Sequence, residues 1–268
     1  MGLLYRLVTS YAFQRTGLAR GLTTFVGWLA DRRLPKWILL PVIRKYIRVN
    51  GIDMSQYQGD PESFSTFNRF FTRALKPGCR IQGNGVTSPA DGVVTAAGTF
   101  TESMLFHVKG NSYPLTELLR SAWPDTGSFV TVYLSPADYH RVHTPFNCTV
   151  TSIRHLHGEV RTVDPAYVLK HPGLYCTNER VVVEGTSPYG KFCLVLVGAL
   201  VVGRITLSIV DKINKGGTME NLNIELEKGA ELGMFEMGST VVLVMESDAL
   251  KNTGRLTGEH VLLGTTIS

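Results

Sequence analysis

Met237-Gly238-Ser239-Thr240 runs directly into Val241-Val242-Leu243-Val244-Met245. The second half of this stretch is apolar and largely β-branched, so it predicts a buried strand over Thr240–Glu246. The first half places a Gly-Ser peptide at the mouth of that strand. Gly238 has no side chain to obstruct Ser239 Oγ as it approaches the carbonyl before it, and glycine tolerates strained backbone. The pair therefore suits an internal acyl shift, in which the chain cuts itself between Gly238 and Ser239. A simple turn is the plainer reading of the same residues. Upstream, Lys228-Gly229-Ala230-Glu231-Leu232-Gly233-Met234-Phe235-Glu236 is punctuated by glycines.

Working outward, short β-rich runs separated by Gly, Pro and Asp begin near residue 86. Strands are expected at Gly92–Ala97, Phe129–Leu134, Thr149–His155, Val181–Gly185, Phe192–Val202 and Arg204–Val210, with a single helix, Leu115–Ala122, between them. Asp60-Pro61 reads as the start of a helix that carries Phe64, Phe67, Phe70 and Phe71 on one side and stops near Lys76-Pro77-Gly78. Residues 2–31 space Leu3, Leu4, Leu7, Tyr11, Leu22, Phe25, Val26 and Leu29 at helical intervals, and Trp37-Ile38-Leu39-Leu40-Pro41-Val42-Ile43 continues the apolar character. The expected class is α+β, with N-terminal amphipathic helices followed by a mostly antiparallel β domain. The boundaries are 1–60 for a membrane-associating helical region and 61–268 for a β-rich catalytic domain.

Charge divides the chain at the same place. Residues 1–50 hold nine Lys/Arg against Asp31 alone, a net of +8, which leaves −3 for the rest of a chain whose formal total is +5. A basic, aromatic and apolar end points to an anionic partner for that end, and helices lying in a membrane interface fit it. Packing on the protein's own domain or on a second subunit is the competing reading. No run of apolar residues reaches the ~18 that a membrane span needs, and the N-terminus lacks the pattern of a secretory signal. Cys79, Cys148, Cys176 and Cys193 form no C-x-x-C pair and read as reduced thiols.

Two further segments carry chemistry. Ser88-Pro89-Ala90-Asp91-Gly92-Val93-Val94 puts an acid in a tight turn that opens a strand. Leu134-Ser135-Pro136-Ala137-Asp138-Tyr139-His140-Arg141-Val142-His143-Thr144-Pro145 places two histidines between prolines that forbid a long helix. Together with the Gly-Ser segment they resemble the phosphatidylserine decarboxylases, a family of pyruvoyl enzymes. Phe67-Asn68-Arg69-Phe70-Phe71 with Arg73 and Leu75, then Asn178-Glu179-Arg180-Val181, then Leu196-Val197-Gly198-Ala199, are similar to family segments in the family's order. The resemblance covers nearly the whole chain. Met237 stands where the family more often has leucine, a volume-conserving difference.

The resemblance implies Ser239 as nucleophile, His143 as its base and Asp91 as the carboxylate that orients the base; spacing alone does not choose among seven histidines. It implies that Ser239 forms an ester, eliminates to dehydroalanine and becomes a covalent pyruvoyl cofactor. That carbonyl would form a Schiff base with the serine amine of phosphatidylserine and accept electrons as carbon dioxide leaves, giving phosphatidylethanolamine. His140 is implied for protonating the product or gripping the carboxylate. The further implications are a processed homodimer, peripheral on the cytoplasmic side of the cell membrane, with phosphatidylserine and the anionic membrane surface as partners and no nucleic acid. His140, His143, Cys148, His155 and His157 do not fall into a familiar zinc spacing, so no metal is expected. A rival reading is a lipoyl- or biotinyl-like carrier without self-cleavage: Pro89–Val94 echoes such a strand-turn pattern, with Lys212 of Asp211-Lys212 as acceptor. A serine hydrolase would want a G-x-S-x-G elbow, which the chain lacks.

Overall fold

A computed structural model of the chain describes residues 17–101, 105–108, 111–171, 173–200, 204–211, 214, 216–236 and 239–268. Its strands in chain order are β1 (Gly92–Phe100), β2 (Leu105–Val108), β3 (Asn111–Pro114), β4 (Gly127–Leu134), β5 (Arg141–His143), β6 (Cys148–Leu156), β7 (Arg180–Ser187), β8 (Gly190–Gly198), β9 (Ile205–Leu207), β10 (Thr218–Met219), β11 (Ile224–Leu226), β12 (Glu231–Phe235), β13 (Ser239–Met245) and β14 (His260–Val261). A large sheet runs β10-β6-β7-β8-β13-β4-β1-β14, with β11 beside β6; β5-β12-β9 form a second sheet and β2-β3 a hairpin. Each of these strand pairs is antiparallel.

The apolar run that opened the reading is the sheet's interior. β13 is hydrogen-bonded to β4 on one side and β8 on the other, and every one of its residues is buried. A strand covered on both faces needs no polar alternation, which is why its sequence is continuously apolar. Val241, Leu243 and Met245 enter one core with Val130, Val132, Leu194 and Leu196. Val242 and Val244 enter the opposite one with Phe129, Val195 and Val197. The small sheet caps the first face through Val142, Leu207, Leu232 and Phe235.

The helices are α1 (Gly17–Ala30), α2 (Lys36–Asn50), α3 (Phe67–Phe71), α4 (Leu115–Leu119), α5 (Pro165–Val168) and α6 (Leu174–Thr177). The last three cover the second sheet face where a single helix was expected. α4 stops short of Ala122 because Arg120 turns left-handed at its end, with φ 55°. α5 exists because the Asp164 side chain accepts from the Ala166 amide and Pro165 starts the turn.

The helix expected from Asp60 onward is broken. Asp60 makes no side-chain cap, Pro61–Ser63 is one 3₁₀ turn, and the chain extends at Phe64. Thr66 then restarts a helix by accepting from the Arg69 amide at 3.1 Å, and α3 ends at Phe71. A polar cap in mid-segment outweighs the phenylalanine periodicity. Two strand expectations shorten as well: β8 ends at Gly198, and β9 covers only Ile205–Leu207. β5 and β12 were not anticipated. The first is too short to show a period, and the second carries a register irregularity at Leu232.

α2 divides its residues between two surroundings. Leu39 and Ile43 pack with Tyr57, Phe70, Tyr139 and Leu263. Trp37 is 77% exposed, Val49 72% and Val42 49%. On α1, Phe25 and Trp28 are exposed and stack on each other at 6.0 Å. Leu3, Leu4, Leu7 and Tyr11 lie outside the described residues. No helix among the described residues is long and apolar enough to cross a membrane.

Candidate active site

Ser239 is the first residue of β13 and pairs with Leu134 on β4 and Gly198 on β8. It is fully buried, and its Oγ has no hydrogen-bond partner among the described residues. An unsatisfied buried hydroxyl costs about 1–3 kcal/mol, so a native chain that carries one calls for an explanation. Met237 and Gly238, the other half of the expected cleavage motif, lie outside the described residues.

The strand opposite Ser239 is held by a segment far away in sequence. Asn178, fully buried, donates its amide to the carbonyls of Gly198 and Arg161, each at 2.9 Å, and Gly198 N donates to Glu179 O at 2.9 Å. Asn178-Glu179 and Leu196–Ala199, two segments singled out in the sequence, thus meet at the pairing partner of Ser239.

From Leu134 the chain turns and returns as β5, bringing the two histidines back toward β12. Phe235 N donates to His140 O at 2.9 Å, and His143 pairs with Glu231. His143 N also donates to Pro89 O at 2.9 Å, which sets β5 beside the Asp91 turn. Gly92 opens β1 there with φ +156°, and a Cβ on it would lie 2.3 Å from the Tyr133 carbonyl oxygen. Only glycine lets the turn lie this close to β4.

The side chains of the expected triad do not hydrogen-bond one another. His143 Nδ1 is 2.8 Å from the Gly229 carbonyl and therefore donates to it, and Nε2 is 3.1 Å from Tyr139 Oη, which donates to it. Burial lowers the His143 pKa, partly offset by the Gly229 bond, so the ring stays neutral with its lone pair on Nε2. Gly229 presents that carbonyl from a left-handed turn, φ +82°, suited to glycine. Asp91, buried, instead accepts from Arg80 Nε at 3.1 Å, from the same guanidinium through Nη2, and from Leu263 N at 2.7 Å. A backbone carbonyl, not Asp91, sets the tautomer of His143. Catalytic hydrogen bonds are often long before a site is engaged.

His140 occupies a different environment three residues away. It is 1% exposed, its ring lies 4.1 Å from that of Phe71, and Nδ1 donates to Asp138 O at 2.8 Å. Its Nε2 has no partner among the described residues. Burial pushes its pKa down to about 4, assisted by the nearby Arg73 charge. Asp138 holds the loop by accepting from Ser135 N at 2.7 Å and pairing with His260 Nε2 at 2.8 Å. Arg73, also buried, binds Ala137 O at 3.1 Å and stacks 4.0 Å over Tyr57.

Sequence reasoning missed Tyr139, Arg80 and Gly229. Tyr139 sat inside a quoted motif, and Gly229 inside the glycine-punctuated stretch, but neither position signals which nitrogen it will meet. No group of three or more His, Cys, Asp and Glu among the described residues is arranged to hold a metal ion. Lys212, the acceptor in the carrier reading, lies outside the described residues.

Fold and site together define an α+β protein whose central strand opens with a buried serine, its hydroxyl unpartnered among the described residues, and whose β4–β5 connection and β5 carry two neutral histidines. A sequence profile of the family described as phosphatidylserine decarboxylase matches residues 67–268. The phosphatidylserine decarboxylase proenzyme of Acinetobacter baumannii (strain AYE) is 38% identical over 232 residues, covering 83% of this chain and 82% of that protein. Those of Acidovorax ebreus (strain TPSY) and Variovorax paradoxus (strain S110) are 37% identical over 246 residues and 36% over 242. They cover 87% and 84% of this chain, and the same shares of their own lengths. The chain belongs to the phosphatidylserine decarboxylase family.

Proposed function

We propose that this chain cuts itself between Gly238 and Ser239 and then decarboxylates phosphatidylserine to phosphatidylethanolamine and carbon dioxide. The observation that carries the reading is the buried Ser239 hydroxyl, unpartnered among the described residues, at the head of the central strand in a chain of this family. In the first step Ser239 Oγ would attack the Gly238 carbonyl. The O–C bond forms as the C–N bond breaks, and the hydroxyl proton ends on the freed nitrogen. Elimination would release the Gly238 carboxylate and leave dehydroalanine, whose hydrolysis yields ammonia and the pyruvoyl group.

His143 is the base in this scheme. Its neutral Nε2 would exchange Tyr139 for the serine proton, while Gly229 keeps hold of Nδ1. Asp91 acts from the adjoining turn, where Arg80 and the Leu263 amide fix its carboxylate. The pyruvoyl group at position 239 would supply an electron-accepting carbonyl. The buried setting of Ser239 fits such a group because it excludes water. His140 would meet the substrate carboxylate: an anion beside Nε2 raises the pKa of a buried imidazole and favours a donated proton there. The same proton is then available to the carbon that loses carbon dioxide.

Residues 239–268 would stay attached after cleavage, since β13 remains hydrogen-bonded on both edges. Residues 1–60 would serve as the membrane-associating region of a catalytic domain spanning 61–268. The proposal places the chain peripherally on the cytoplasmic side of the cell membrane, and the exposed Phe25, Trp28, Trp37, Val42 and Val49 support a membrane-facing surface. A homodimer of processed protomers completes the proposal.

Intact mass of freshly expressed protein tests it. The expected result is two fragments, the smaller beginning at position 239 and blocked to Edman sequencing. Ser239→Ala should remain one uncut chain without decarboxylase activity. A fully active Ser239→Ala protein would overturn the reading.

A further inference from the structure

Two segments distant in sequence converge on Glu236, three positions before Ser239, and a third reaches it through them. Its Oε2 accepts from Arg204 Nε at 2.6 Å and from Asn68 Nδ2 at 3.1 Å, and its Oε1 accepts from Thr206 Oγ1 at 3.0 Å. Its backbone amide donates to Arg204 O at 3.1 Å. The same Arg204 guanidinium pairs with Asp31, and Asn68 Nδ2 also reaches Asp31 Oδ1 at 2.9 Å. Asp31 directly follows α1, the helix that exposes Phe25 and Trp28. None of these residues belongs to the serine-histidine site.

We infer that Glu236 is a positioning residue for self-cleavage, clamped by Arg204 and Asn68 and tied through Asp31 to the end of the N-terminal helix. The inference rests on the self-processing reading above. Ser239 is fixed by pairing on both sides, so Glu236 supplies the second anchor for the short span that contains the scissile peptide. An acyl shift needs its reacting atoms within about 3–3.5 Å, and a 1 Å misplacement costs on the order of 10²-fold in rate. Arg204, the cation shared by both ion pairs, is 52% exposed and Asp31 38%, and pairs so open to solvent contribute only about 0–1 kcal/mol, although Glu236 itself is 16% exposed. The clamp's effect is geometric. It fixes Glu236, three positions before Ser239, while β13 fixes Ser239 itself.

The test measures first-order cleavage of the full chain after synthesis, by gel and intact mass. Glu236→Ala and Arg204→Ala should each slow cleavage by about 10- to 100-fold. Glu236→Gln keeps one acceptor oxygen, enough for the Arg204 and Asn68 donors but not for Thr206 as well, so it should restore part of the rate lost in Glu236→Ala. Asp31→Ala, one contact further out, should slow cleavage by only about two- to fivefold. The same substitutions in an uncleavable Ser239→Ala background should move Tm by no more than about 4 °C, which separates positioning from a general loss of structure. Cleavage of Glu236→Ala at the wild-type rate overturns this inference alone, as does a slowing matched by a large fall in Tm. A wild-type chain that never cuts overturns the self-processing reading together with it.

Discussion

Val241–Met245 and Trp37–Ile43 are both apolar runs, yet the protein treats them oppositely. The first is wholly buried in the middle of a sheet, whereas the second leaves Trp37 and Val42 in the open while hiding Leu39 and Ile43. The difference lies in how each backbone meets its hydrogen-bonding needs. β13 meets its needs through β4 and β8 on its two edges, and a separate core covers each of its faces. A helix satisfies itself, so one packed stripe is enough to hold it and the rest can face another medium. The closed environment isolates Ser239, and the open one leaves Trp37 and Val42 exposed.

Variants placed in the two regions can break this contrast. The largest effect belongs to the site at the sheet's end. His143→Ala and Asp91→Asn should slow self-cleavage by about 10²–10⁴-fold, while Trp37→Ala on the helix leaves the rate unchanged; a gel time course decides. If either sheet-end variant matures at the normal rate, its role at Ser239 is wrong. His140→Ala should be cut yet poorly active, so an uncut product would move His140 into processing.

Stability should divide in the same way. Leu243→Ala should lose about 2–5 kcal/mol in urea unfolding, against less than about 0.5 kcal/mol for Val42→Ala on the exposed helix face. Comparable losses would mean that the helix face is covered.

His140 adds a pH signature that the helices lack. Its folded pKa, about 4, lies below the ordinary histidine value. Below pH ~6.5 the unfolded chain binds a proton that the folded chain refuses, so stability is present above that pH and falls as pH drops toward 4. The loss is on the order of 3 kcal/mol. In Ser239→Ala protein, adding His140→Gln should flatten that part of the unfolding profile. An unchanged slope would mean that His140 titrates freely.

The smallest effect concerns lipid. Arg44→Gln with Lys45→Gln should weaken flotation on phosphatidylserine liposomes by about 1 kcal/mol per charge, and high salt should remove the difference. Self-cleavage should be unaffected. Unchanged flotation would place the membrane contact elsewhere. Deletions of the N-terminal helix should stop before Asp31, since the structure ties that residue to Arg204 and Asn68.

Much of this was legible in the chain itself. The apolar, β-branched run predicts the buried strand found at Val241–Met245, the Gly-Ser pair precedes it in sequence, and the basic charge is concentrated in the first 50 residues. Family-like segments identified Asp91, His140, His143 and Ser239 as residue types in the right order. Tertiary structure alone decided what those side chains touch. His143 takes the carbonyl of Gly229, 86 positions away, and Asp91 takes the amide of Leu263, 172 positions away. It also broke the Asp60 helix at Phe64, split α2 between core and exterior, and brought Glu236 to Arg204 and Asn68. The physical reason is range. Periodicity and turn chemistry act over a few residues, whereas a buried polar atom must find its partner wherever the finished sheet brings one within reach.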